Sequence, residues 1–426
     1  MSALTATNVL RPRVGGLKGW LMAAMLGAAP AAFRLLRRVA PLPRFGSTVL
    51  ALLHDDVREV FGTDQAFAAP YHDKLQVITG GEPFFLGLND GPQYRAQLAA
   101  MQAVVKPADL PGLASRVLAA AEAAVAAAAA GGRIEVVDQL TRQVTFEVMG
   151  DYLGVPKPAV GDLRVWATRL FEFQFADPGN SPDLRADVDV IAPALRAHVD
   201  AEIARRKTAG GAAADDVLGR CLALQAQGAP GYSDAEIRTN IVCLFVGGPP
   251  QPPMVVPQAL EQLLRRPEAL AGAQAAARAN DDDLLRGYVL EAMRFDPLAP
   301  GLPRHAVKDW VLARGTRRAR SVRQGDTVLA AFASAMMDER RVPRPTVFDP
   351  RRQACEYIHF GYGLHQCFGR HINHATLHLM LKPLLQRPGL RRASGGSGRL
   401  SKNGPFAERL VVDFDEEPGR LGVASH

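Results

Sequence analysis

The chain has 426 residues, 48% of them hydrophobic, and a formal net charge of +7. That composition excludes a disordered chain and supplies enough apolar residues for one large core or two ordinary ones. The basic balance would suit an anionic partner, but there is no zinc-finger spacing and no aromatic-interleaved basic patch. Nucleic acid is therefore not expected as a partner, and the charge reads as solubility. Cys221, Cys243, Cys355 and Cys367 lie far apart with no C-x-x-C spacing. This argues against a disulfide framework, suits a reducing compartment, and leaves one or two thiols at most for chemistry.

In chain order, the first feature is "GLKGWLMAAMLGAAPAAF", residues 16 to 33, flanked by Arg11, Arg13, Lys18, Arg34, Arg37 and Arg38. It is short for a spanning helix, and Pro30 is expected to break it. It is similar to the apolar part of a signal segment. However, "RLLRRVAPLPRFGSTVLALLHDDVREVF" follows at once and reads as the first helix and strand of the fold. The expectation is a cytoplasmic protein in which residues 1–33 form a retained apolar and basic segment. That segment would pack on the body or make a peripheral membrane contact, ahead of one domain over residues 34–426.

Apolar spacing and alanine-rich runs predict helices over 108–130, 138–153, 158–175, 184–207, 233–265, 281–295 and 368–387. "STVLALL" and "DTVLAAFAS" read as strands. The fold class is mainly α with a minor β-sheet region, in a single large domain.

The helix predicted to start at 233 opens well. Ser233 and Glu236 have capping-box spacing, and Ile237, Ile241, Leu244 and Phe245 recur at helical intervals. Then "FVGGPPQPPMVV" places Pro249, Pro250, Pro252 and Pro253 in succession, with Pro257 after them. Each proline deletes a backbone donor and clashes with the preceding turn, so the helix should unwind or kink. The carbonyls left over must meet water, Gln251 or a ligand.

The run from His359, "HFGYGLHQCFGRHINHATLHLMLKPLL", surrounds Cys367 with Gly361, Gly363 and Gly369. Glycines let backbone take positive φ and approach a flat ligand. Cys367 precedes a predicted helix, with Arg370 and His371 adding positive charge, so its thiol pKa is expected to be lowered. The pattern F-G-x-G-x-H-x-C-x-G is complete in Phe360, Gly361, Gly363, His365, Cys367 and Gly369. It closely resembles the haem-binding loop of the cytochrome P-450 family, bacterial soluble type.

That resemblance implies haem b (iron protoporphyrin IX) with Cys367 as axial thiolate and metal ligand, donating electron density toward O–O cleavage. It implies that Phe360, Gly361 and Gly369 lie against the cofactor, and that Arg304, in "PGLPRHAVKD", and His365 bind its propionates. It also implies a buried E-x-x-R pair, Glu291 and Arg294 in "EAMR", joined by Arg352 from "FDPRR". The likeness covers roughly residues 34 to 390. In "NDGPQYRAQL" Tyr94 and Leu98 replace the family's histidine and later arginine, leaving Arg95 as the nearby cation for the cofactor. "NHAT", residues 373 to 376, departs from the family pattern and is expected to alter only surface packing.

Counting back from "LLRRPE" aligns Gly247 and Gly248 with the family's A-G, Pro250 with its acid and Gln251 with its threonine. The resemblance makes Gly247, Gly248, Pro250 and Gln251 the catalytic segment, in which typical members relay protons during oxygen activation. Proline has no side-chain proton, and glutamine does not titrate near neutrality. Three readings follow. The first is a haem-thiolate oxidoreductase that uses peroxide, as a peroxygenase or hydroperoxide isomerase. The second is a ferredoxin-dependent monooxygenase, with its reductase, relaying protons through water or Gln251. The third is a non-catalytic haem sensor or carrier. Arg340, Arg341, Arg344 and Arg370 would suit an acidic electron donor.

The substrate is expected to be a hydrophobic small molecule, lipid or terpenoid-like. Pocket walls are expected from "YHDKLQVITGGEPFFLGL", "LFEFQFADPG", residues 244 to 252 and "PLAPGL". Phe84, Phe85, Phe171, Leu244 and Leu298 are the candidates there. Lys74 or Arg95 would anchor a carboxylate.

Overall fold

The computed structural model describes residues 3–12, 16–210 and 214–415. Arg13, one of the basic residues flanking the apolar N-terminal run, lies outside the described residues. The fold is mainly helical, with short strands in small sheets.

The two runs read as strands are direct neighbours. Thr48–Ala51 pairs in parallel with Thr327–Ala330, Thr48 opposite Thr327 and Ala51 opposite Ala330. They sit inside a five-stranded sheet whose order continues through Leu302–Ala306 to Phe67–Ala68. Strand alternation buries Val49, Ala51, Val328 and Ala330 in a core they share with Val57 and Phe61. This sheet carries Arg304 toward the interior.

A larger apolar core holds the helices. Helix Arg370–Gln386 is buried on all sides from Thr376 to Leu385 and packs on Leu110–Ala129. The latter turns Leu113, Val117, Ala121 and Val125 inward at four-residue spacing. The stretch Pro92–Ala129 is long and apolar enough to cross a membrane. It is two helices, Pro92–Val104 and Leu110–Ala129, separated by the turn Pro107–Asp109.

Three expectations are corrected here. Pro30 does not break the N-terminal helix, which runs Gly16–Val39. Pro30 is exposed, and one missing donor costs the helix a single hydrogen bond. The predicted helix 233–265 is two helices, Asp234–Gly247 and Pro252–Leu264, because consecutive prolines remove the amides that would join them. Its predicted start holds: Ser233 Oγ accepts from Glu236 N, and Glu236 Oε2 accepts from Ser233 N at 2.9 Å. Finally, 158–175 shortens to Leu163–Phe171, followed by a wide turn of π type, Glu172–Ala176.

The N-terminal segment is tied to the body. Trp166 Nε1 donates to the Leu4 carbonyl at 3.2 Å and Arg169 to that of Asn8 at 3.1 Å. Asn403 donates to the Arg11 carbonyl at 2.7 Å, and Arg37 to Ser334 Oγ at 3.0 Å.

Candidate active site

A largely apolar cavity lies between the Cys367 loop and the break in the central helix. All four segments marked in the sequence reach it. Tyr71, Leu75 and Phe84 line it from the first, and Phe171 and Phe175 from the second. Leu244, Gly247 and Gly248 come from the third, and Leu298 from the last. Phe85 does not line it. Phe84 has extended backbone, so its neighbour points the opposite way. The Phe85 ring is fully buried behind the wall, edge-on to Phe368 at 5.3 Å. Phe171 and Phe175 reach the cavity together because they are four residues apart, whereas Phe173 is buried beneath Lys74.

The loop is closed by Cys367 N donating to Phe360 O at 2.9 Å. Gly361 and Gly363 have φ of 71° and 73°. At Gly363 a Cβ would fall 2.4 Å from the Phe61 carbonyl, so only glycine fits where the loop crosses helix His54–Gly62. Tyr94, in place of the family's histidine, donates its hydroxyl to Leu364 O at 2.8 Å and braces the same loop. Gly369 caps helix Arg370–Gln386, next to the Cys367 sulfur. The expected lowering of the thiol pKa is not met. Burial pushes it up, and the Gly369 amide and Arg370 charge offset only part of that cost.

Behind the loop, Glu291 accepts from Arg294 at 2.6 and 2.8 Å and from Arg352 at 3.0 Å. The Asp349 amide and the Tyr357 hydroxyl also donate to it, at 3.0 and 3.1 Å. Every bond on this carboxylate comes from a donor, which is what a fully buried anion requires. The family resemblance, not spacing alone, implies the Glu291–Arg294–Arg352 set, and neither points to Tyr357. The His359 ring stacks on Tyr357 at 4.9 Å and meets the Leu290 carbonyl at 2.9 Å. Burial pushes His359 down to about 4, so it is neutral near pH 7.

Arg304 lines the cavity and is 4% exposed. Its guanidinium donates to the Pro303 carbonyl at 3.0 Å and lies over the Phe61 ring at 4.8 Å. Among the described residues it has no ion-pair partner, and burial lowers its pKa. His365 also lines the cavity, with Nε2 2.8 Å from Leu88 O. Arg95 is not brought to the site. Helix Pro92–Val104 turns Tyr94 inward, so Arg95 faces solvent and pairs with Asp90 at 2.7 Å. Lys74 is engaged with Asp177, whose backbone carbonyl it meets at 2.6 Å and whose carboxylate at 3.7 Å. Neither cation is placed to anchor a ligand carboxylate in the cavity.

On the opposite wall, prolines at 249, 250, 252 and 253 withhold the amides that helical geometry would aim at the carbonyls of Phe245, Val246, Gly248 and Pro249. Gln251 repairs part of this gap. Its backbone amide donates to Gly248 O at 3.2 Å, and its side-chain amide donates to Gly247 O. Gly247, Gly248, Gln251 and Pro252 line the cavity, whereas Pro250 is buried off the wall. Residues 373–376 are also corrected. Asn373 and Thr376 line the cavity, because the helix after the loop runs inward rather than over the surface.

Of the arginines read as a docking face, Arg340 and Arg341 are committed to Asp338 and Asp55, at 3.0 and 2.8 Å. Arg344 and Arg370 are in no ion pair among the described residues.

A family model described as Cytochrome P450 matches residues 199–405, which hold the Glu291 network, Arg304 and the whole Cys367 loop. A protein of Fusarium oxysporum (strain Fo5176) named Bifunctional dioxygenase (DOX)-epoxy alcohol synthase (EAS) is 34% identical over 137 residues, 32% of this chain and 11% of that one. The 20-oxo-5-O-mycaminosyltylactone 23-monooxygenase of Streptomyces fradiae is 32% identical over 205 residues, 48% of this chain and 46% of that one. The chain thus spans about a tenth of the first relative and less than half of the second. The solved structure of cytochrome P450 CYP109Q5 from Chondromyces apiculatus superposes with a TM-score of 0.75 at 21% identity, covering 93% of this chain and 97% of that one.

A mainly helical body with a cysteine loop under an apolar cavity is the architecture of a haem-thiolate protein. Residues 199–405 of this chain are those of the cytochrome P450 family, and the fold across 93% of the chain is that of a solved P450. The family's cofactor is haem b on an axial cysteine thiolate, and the donor set suits it. A cysteine lies on the cavity wall, and a buried arginine there lacks an anion that a propionate would supply.

Proposed function

We propose that the protein is a haem-thiolate oxidoreductase acting on a hydrophobic small molecule, lipid or terpenoid-like, that brings its own O–O bond or is served by peroxide. In this reading Cys367 is the axial ligand, Phe360, Gly361 and Gly369 flank the macrocycle, and Arg304 and His365 hold its propionates. Bound there, the cofactor supplies cleavage of an O–O bond, assisted by electron donation from the thiolate. The chain's own contribution is a dry, apolar chamber that binds the substrate and excludes water.

The observation that carries this reading is the state of Gln251. At the helix break the cavity wall is Leu244, Gly247, Gly248, Gln251 and Pro252, with neither carboxyl nor hydroxyl among them. Gln251, the one side chain among these that can donate a hydrogen bond, spends its amide on Gly247 O. A reaction that must deliver protons to oxygen lacks a titratable donor at that wall. A reaction that rearranges an existing hydroperoxide needs no net protons or electrons, since an epoxy alcohol is an isomer of an unsaturated hydroperoxide. The name of the Fusarium relative supports this choice. The test is consumption of a lipid hydroperoxide by haem-loaded protein without reductase.

A second reading, a ferredoxin-dependent monooxygenase, is favoured by the unpaired Arg344 and Arg370 and by the name of the Streptomyces relative. It requires turnover that depends on an electron donor. In either case we place the protein in the cytoplasm. The peripheral membrane contact is through residues 16–33, on helix Gly16–Val39, whose last turns also expose Leu35 and Val39.

A further inference from the structure

The cavity wall carries hydroxyls on Tyr71, Thr145, Tyr152 and Thr376. Three of them are satisfied within the protein. Thr145 donates to Thr141 O at 2.7 Å, Tyr152 to Asp109 at 2.7 Å and Thr376 to Ile372 O at 2.7 Å. The Tyr71 oxygen is fully buried and has no hydrogen-bond partner. A buried hydroxyl without a partner is uncommon, and one on a side chain that lines a binding cavity is a candidate contact for a ligand atom.

The surroundings say what kind of atom. The Tyr71 ring stands edge-on to Phe175 at 5.0 Å, so it is held at the cavity wall between helix His72–Thr79 and the turn Glu172–Ala176. The Arg304 guanidinium is near enough for its charge to act on the phenol. A phenol O–H without a partner offers a donor, so the atom it takes is an acceptor oxygen. Leu75, Leu86, Phe84 and Leu298, which share this cavity, are apolar.

We propose that Tyr71 is a specificity-determining residue, donating its hydroxyl to an acceptor oxygen, carboxylate or ester carbonyl, at one end of an otherwise apolar ligand. This rests on the apolar-substrate reading above and adds to it a polar end and a fixed orientation. One hydrogen bond from a buried phenol is worth about tenfold in affinity, more toward a charged acceptor. A ligand held by that end presents its chain, rather than its head, to the rest of the cavity.

The test uses haem-loaded protein and calorimetric titration with dodecanoic acid, its methyl ester and dodecane. The expected result is that Tyr71→Phe weakens binding of the acid, the ester or both by about tenfold and leaves dodecane unchanged. Loss for the acid alone identifies a carboxylate, and loss for both identifies a carbonyl oxygen. Equal losses for acid and dodecane, or none, would overturn the proposal. So would an unchanged ranking of ligands with reduced haem content in Tyr71→Phe, because the phenol would then serve a haem propionate. If the unsubstituted protein binds none of the three, the apolar-substrate reading falls with it. If it binds dodecane but Tyr71→Phe changes nothing, the anchor alone falls.

Discussion

The side-chain amide of Gln251 donates to the carbonyl of Gly247, one turn earlier in the chain. It takes the place of a backbone bond, since the Gln251 backbone amide is turned instead to Gly248 O. The glutamine is therefore a structural repair of the proline break that also occupies the wall facing the Cys367 loop. Gln251→Ala leaves a cavity-facing carbonyl unmet. It should cost about 1–3 kcal/mol in denaturant unfolding while the ferrous–CO thiolate spectrum stays intact. A neutral substitution would mean that water fully replaces the amide.

Glu291 is fully buried, as is Arg294, and Arg352 joins them. Glu291→Gln removes the anion and strands the buried Arg294, while Arg352 keeps Glu356 at 2.9 Å. It should destabilise the fold by about 3–5 kcal/mol, measured as denaturant stability and as soluble holoprotein yield. Glu356→Gln is the contrast, because Arg352 keeps its bond to Glu291 at 3.0 Å when that second partner is lost. It should retain most of the stability.

Arg304 gives an effect of opposite sign on the two forms of the protein. Without haem its buried charge is uncompensated, so Arg304→Met should leave the haem-free protein as stable or more stable in denaturant. With haem it should weaken retention by about tenfold or more, measured by transfer of haem to a scavenging apoprotein. Unchanged retention would remove Arg304 from the propionate role.

Burial pushes His378 down to about 4, with Arg286 adding to the effect, and the residue is 2% exposed. The unfolded chain takes up this proton below about pH 6.5, the folded one only below about 4. Between those values the unfolded state binds more protons. Stability from this group is thus complete above pH 6.5 and declines by about 3 kcal/mol as the pH falls to 4. His378→Gln should flatten that part of the stability–pH curve. An identical slope in the variant would assign the acid sensitivity elsewhere.

Much of this site was legible in the sequence because its parts are local. The ten-residue loop around Cys367 and the Glu291–Arg294 spacing each lie within a few residues, and glycine and proline positions announce backbone geometry directly. The strands Thr48–Ala51 and Thr327–Ala330 were each recognisable, but their pairing across the chain was not. Short helices such as His54–Gly62 and His72–Thr79 escaped notice, being too brief to show a period. Three of the errors at the site share a cause, the direction in which a side chain points. Phe85, Arg95 and Pro250 each sit next to a residue that does face the cavity or the loop behind it, and a rotation of one residue decides the outcome. Tyr71 lies in a segment expected at the pocket wall, but neither its hydroxyl nor that of Tyr357 is marked out by the sequence, because an isolated tyrosine has no spacing to read.

The most direct measurement follows a polyunsaturated fatty-acid hydroperoxide by its conjugated-diene absorbance, with haem-loaded protein and neither reductase nor nicotinamide cofactor. Rapid loss over many turnovers, abolished by Cys367→Ala, is the expected result. No loss, from protein whose ferrous–CO spectrum shows an intact thiolate ligand, would contradict hydroperoxide chemistry at the proline-broken wall.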